Sequence, residues 1–109
     1  VLMKFLIDMP ATMEHVEFFL ALSDAANHEP GSFDPSERSR TTFLHYLAYN
    51  IKLRTAQNAK ELMVPLVRRI MTLGGGTMHD SDVLGDTPRM VLMQDDTISC
   101  DLISALDTL

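Results

Sequence analysis

The chain has 109 residues, of which 46% are apolar and 22% charged, the size and composition of one globular domain rather than of a disordered segment. Its 15 acidic and 9 basic side chains leave a net charge of −6. An acidic domain with no basic stripe lacks the Lys and Arg that phosphate binding requires, so nucleic acid is not an expected partner.

In chain order, residues 2–9 are expected to form a short helix that ends at Pro10. Thr12 is a candidate N-cap for a helix over 13–22, in which Met13, Val16, Phe19 and Leu20 make an apolar stripe. Residues 23–40 are rich in Pro, Gly and polar side chains and read as a long loop. Phe33 lies in that loop between two turn signals, an apolar tip suited to touching a partner. Thr41 or Thr42 caps the next helix, FLHYLAYN. Residues 50–60 are polar and read as loop or helix extension. From 61 to 73 the apolar positions Leu62, Leu66, Ile70 and Leu73 recur at helical spacing, with Pro65 near the first turn or at a kink. The glycines at 74–76 then stop the helix, because Gly adopts the left-handed cap conformation. Residues 76–86 form a polar turn region. Thr87 and Pro88 are an N-cap followed by a first-turn proline. After a break at 95–99, residues 100–109 make a last helix. The expected class is all-α.

The single cysteine, Cys100, has no partner for an internal disulfide and reads as a small core residue. The opening segment is too short to span a membrane and lacks a cleavage-site pattern. An intracellular setting, cytoplasmic or nuclear, is therefore expected, with no membrane partner. Arg68 and Arg69 fit a solvated helix face better than a phosphate site.

Chemistry-bearing groups are sparse. The four histidines, His15, His28, His45 and His79, are scattered and have one cysteine between them, so no zinc pattern forms. The best local cluster of metal-type ligands is His79, Asp80, Ser81 and Asp82, which reads as a solvated turn. Residues 80–91 imitate the opening of a calcium loop with Asp80, Asp82 and Gly85, but Val91 stands where a bidentate Glu is required. The glycine run follows a helix instead of preceding one, so it is not a phosphate cradle. No nucleophile motif is present. No catalytic residue, metal or cofactor is assigned. The chain holds 8 methionines, and Met63, Met71, Met90 and Met93 are expected in a helix-stacking core.

Residues 42–48, TFLHYLA, and the later GDTP raise the question of a repeat. Here the chain resembles the ankyrin repeat family, whose units of about 33 residues open on Thr-Pro-Leu-His. Thr42, Leu44, His45 and Ala48 stand where the family has Thr, Leu, His and a helical Ala, and Phe43 replaces the proline. Residues 61–75 look like an outer helix with its glycine stop. Asp82, Gly85, Thr87 and Pro88 follow the family's connecting hairpin in order, and Gly75 to Thr87 is 12 residues. There are departures. Thr42 to Thr87 is 45 residues, about a dozen more than one repeat. Arg89 and Met90 replace Leu and His in the third unit, and residues 2–9 carry no motif.

The resemblance implies one domain over 1–109, a stacked helix-turn-helix array with units 1–40, 41–85 and 86–109. It implies structural roles for Thr42, Leu44, His45, Gly75, Gly85, Thr87 and Pro88. It also implies a binding module with no chemistry of its own, an adaptor, scaffold or inhibitor that meets another protein through His79, Asp80, Asp82 and Asp86. Their acidity favours a basic partner surface. Two other readings stay open: a small helical enzyme subunit built around His45 or His79, and a non-repeat helical oligomerisation domain. The opening VLM, without Met at its head, and the closing SALDTL lack the polar character of capping repeats. The expectation is a fragment of a longer array, or ends covered by a partner or another copy.

Overall fold

The computed structural model describes residues 2–26, 38–94 and 100–109, with the side chains of 2–4 and 26 left aside. Among them lie seven helices: α1 (Leu2–Asp8), α2 (Met13–Ala26), α3 (Phe43–Ala48), α4 (Ile51–Arg54), α5 (Ala59–Thr72), α6 (Pro88–Met93) and α7 (Cys100–Asp107). The described residues contain no strand, so the fold is all-α.

The helices form two rows. In one, α1 packs on α3 and α3 on α6; in the other, α2 packs on α5 and α5 on α7. The rows meet through α1 with α2, α3 with α5 and α6 with α7. One core runs between them, from Leu6 and Phe19 through Leu44, Leu62 and Leu66 to Leu92, Leu102 and Leu106. Each of these side chains gains about 1.5–3 kcal/mol by leaving water. No short helix of this kind is stable alone, so each depends on the neighbour that covers its apolar side.

Helix α5 has the clearest face. Leu62, Met63, Leu66, Val67 and Ile70 are buried, and Arg68 on the other side is exposed. Arg69 is half-buried and pairs with Asp24 of α2. Pro65 lies inside α5, not at its first turn. It forfeits one backbone donor, and packing against α2, α4 and α7 holds the helix around it.

The glycine stop divides into three tasks. Gly74, at φ 80°, is the left-handed residue just past the helix. Gly74 N donates to Met71 O at 3.2 Å and Gly75 N to Ile70 O at 2.8 Å, which closes a Schellman motif. Gly76, at φ 113°, lies against Thr42, where a Cβ would come within 2.6 Å of Thr42 Cβ.

Several expectations are corrected. The second helix runs on to Ala26, four residues past its expected end. Residues 50–60 hold a short helix, α4, because Asn50 caps it: Leu53 N donates to Asn50 Oδ1 at 3.1 Å. Asn50 is itself fully buried, and its Nδ2 donates to Leu6 O at 2.6 Å and Met9 O at 3.1 Å. It thereby satisfies the open carbonyls at the end of α1. Met90 and Met93 are exposed instead of packed in the core, since six-residue α6 turns only Pro88, Val91 and Leu92 inward. Cys100, expected in the core, begins α7 at the surface. No helix of the described residues is long and apolar enough to cross a membrane.

Candidate functional site

The entry to α3 holds a buried polar cluster. Thr42 is extended at φ −86°, ψ 169°, and its side chain accepts from His45 N. His45 returns the contact: Thr42 N donates to His45 Nδ1 at 3.1 Å, and the Thr42 hydroxyl lies 2.8 Å from the same nitrogen. This is a capping box in which histidine takes the place of the usual glutamate. With Nδ1 accepting, Nε2 carries the proton, and it donates to Asp86 O at 2.7 Å. His45 is fully buried, and both ring nitrogens are engaged. Such a ring has no open position from which to pass a proton to a substrate.

The carbonyl that His45 holds belongs to a turn. Asp82 N donates to Asp86 O at 2.9 Å, and Gly85 N donates to Asp82 O at 3.0 Å. Asp82 Oδ1 accepts from both Leu84 N and Asp86 N at 2.9 Å. Gly85, at φ 85°, supplies the left-handed residue this path needs. Val83 N donates to Ser39 O at 2.8 Å and ties the turn to the segment ahead of α3. Upstream, Thr77 N donates to Asp80 Oδ2 at 2.8 Å, so a second turn precedes the first. Thr87 then caps α6 by accepting from Met90 N, and buried Pro88 follows it at the first helical position.

This bracing has an unusual result. Val83 and Leu84 stand at the turn's tip, 63% and 82% exposed. Two neighbouring apolar side chains are thus held in water on a fixed backbone. Tyr49, at the end of α3, is 44% exposed. Partial burial raises the pKa of its phenol, and the carboxylates of Asp82 and Asp86 push it up further. At neutral pH it is therefore an O–H donor beside an acidic turn.

The residues singled out in the sequence fall into three groups. His79 and Asp80 are exposed on the upstream turn, and Asp86 is half-buried on the downstream one. Asp82 is buried and turned inward, and its near oxygen holds the turn together. Thr42, Leu44, His45, Gly75 and Pro88 are buried, and Gly85 and Thr87 shape the turn and the cap after it. Phe33 lies outside the described residues. Tyr49, Val83 and Leu84 were not singled out. Nothing local marks Tyr49, whereas Val83-Leu84 does carry a signal: an apolar pair between Asp82 and Gly85 at the centre of a turn. Among the described residues no group of three or more His, Cys, Asp or Glu side chains is placed to hold a metal ion. Comparison with known protein families, with curated proteins and with solved structures finds no match for this chain.

Proposed function

We propose that the chain is a protein-interaction module of the ankyrin-like type, in which stacked helix pairs hold up a rigid turn that docks on a partner protein. The observation that carries this reading is the braced turn 82–86, which presents Val83 and Leu84 to solvent. An adjacent apolar pair on a preordered backbone can anchor a partner with little conformational entropy lost on docking.

The two-row order of the helices supports the repeat reading. So does the box of Thr42 and His45, whose Nε2 clamps the carbonyl of Asp86 at the start of the next unit. Helix α4 accounts for the extra length between the inner and outer helices of the middle unit. The clamp is not repeated in the third unit. There Arg89 turns to Asp107 at 3.0 Å and Met90 is exposed. The engagement of both His45 nitrogens favours a binding role over an enzyme built on that residue. No cofactor enters the reading, and the compartment it implies is cytoplasmic or nuclear.

Exposed Asp80 and half-buried Asp86 flank the apolar tip, so the partner surface is apolar at its centre and basic at its rim. Asp80→Asn combined with Asp86→Asn should leave the fold intact and slow association about tenfold at low salt, with a flatter salt dependence. Surface plasmon resonance against the captured partner reads both quantities. An unchanged on-rate would remove the electrostatic part of the proposal. Asp82 is left out of this test because its replacement would loosen the turn.

A further inference from the structure

A second surface lies on α1 and α2. Phe5 of α1 and Glu14, His15, Glu17 and Phe18 of α2 line an open groove of about 590 Å³. Phe18 is 53% exposed. Its ring stands 5.6 Å from that of Phe5, tilted by 59°. Phe5 in turn stacks on Phe19 with ring centroids 6.2 Å apart, and Phe19 is fully buried. The aromatic wall is therefore rooted in the core and keeps its shape without a ligand. Thr12 fixes the rim: His15 N donates to Thr12 Oγ1 at 3.3 Å, and that hydroxyl lies 2.6 Å from His15 Nδ1. Glu14 and Glu17 are both exposed, one turn apart on α2.

We infer that this groove docks the face of an amphipathic basic helix from a partner protein, with an apolar side chain between Phe5 and Phe18 and Lys or Arg side chains on Glu14 and Glu17. The charge selects the occupant. Two carboxylates line the groove beside His15, with no Lys or Arg among the described lining residues, on a chain of net charge −6. A second copy fits poorly. It would have to bring a basic face, and its Arg69 and Arg89 are already held by Asp24 and Asp107. A cation over the exposed ring of Phe18 gains further from the ring's negative face. An open groove walled by exposed side chains covers little of a small molecule but matches a helix laid along it. This site does not rest on the turn 82–86, since none of its lining residues belongs to that turn.

The test titrates the intact chain with a helical Leu/Lys peptide of about 18 residues, long enough for five turns, and with its Leu/Gln counterpart. The groove should bind the Leu/Lys peptide, with amide shift changes centred on Phe5, Glu14 and Phe18. Phe18→Ala and the pair Glu14→Gln, Glu17→Gln should each weaken binding about fivefold or more, and the Leu/Gln peptide should bind as weakly as the variants. The Glu pair keeps the helix packing whole, so its effect reads charge and not folding. Three outcomes would overturn the assignment. One is equal affinity for both peptides, and another is shift changes confined to residues 77–87. The third is concentration-dependent self-association that Phe18→Ala abolishes, which would give the groove to a second copy.

Discussion

Asn50→Ala is expected to cost roughly 3–4 kcal/mol of stability, because one truncation strands the three buried backbone groups that Asn50 serves: Leu6 O, Met9 O and Leu53 N. Asn50 is fully buried, so the truncation leaves these groups out of reach of bulk solvent. A loss of that size is a large part of the ~5–15 kcal/mol that holds a domain of this length together. It should lower the melting temperature by about 10–20 °C. Asn50→Asp separates the two halves of the role. The carboxylate keeps the cap on α4 but can no longer donate to α1, and it sets a negative charge against two carbonyl oxygens. Its cost should approach that of the alanine. Thermal melts followed by circular dichroism measure both, and a drop of less than about 3 °C for Asn50→Ala would show that α1 is held by its apolar contacts alone.

Gly76→Ala should be nearly as damaging, at roughly 2–4 kcal/mol. The added Cβ would lie 2.6 Å from Thr42 Cβ, 2.7 Å from its Oγ1 and 2.9 Å from its Cγ2. Backbone strain adds to the clash, because φ is 113°. Thr42 cannot move aside cheaply, since it caps α3 and donates to His45 Nδ1. Gly74→Ala is the internal control. Its φ is 80° but nothing lies within 4 Å of the new Cβ, so it should cost only the left-handed penalty of about 1 kcal/mol. Thr42→Gly removes the atoms that Gly76→Ala would strike, so the double variant should lose less than the sum of the two. Denaturant titrations of the four proteins give the coupling. Equal costs at Gly74 and Gly76 would mean that the contact with Thr42 relaxes freely.

These two residues mark where the sequence stops being legible. Local patterns are readable: Thr42 with His45 three residues on, Thr87 before Pro88, the apolar spacing of α5 and the glycines after it. Each is a short-range signal, and each appears in the structure as a cap, a face or a stop. Asn50 shows the limit. Its capping of α4 lies three residues away, but its two donors reach α1 at separations of 44 and 41 residues. Gly76 reads as part of a helix stop, whereas the need for glycine there comes from Thr42 in a distant segment. Met90 and Met93 carry the same lesson in reverse. Their apolar character suggested the core, yet α6 is too short to bury both sides. At the candidate site, composition marked the acids, but only the hydrogen bonds distinguish inward Asp82 from exposed Asp80. The exposed tip of Val83 and Leu84 could not be read from alternation or helical spacing, because a turn has neither.

The two polar systems divide the labour. His45 binds the start of α3 to the carbonyl of Asp86, and Asp82 closes the turn around that carbonyl. Together they convert a loop into a fixed support, and preordering of this kind lowers the entropy lost on docking. Replacing Val83 and Leu84 by Ser tests the binding role most directly, with partner capture from the native host read beside the melting temperature. Both side chains are exposed, so melting should stay within about 2 °C of the parent, while a partner captured by the parent and by a Ser104→Ala control should be lost by at least about tenfold. Undiminished capture by the Val83→Ser, Leu84→Ser protein would contradict the assignment of binding to this turn.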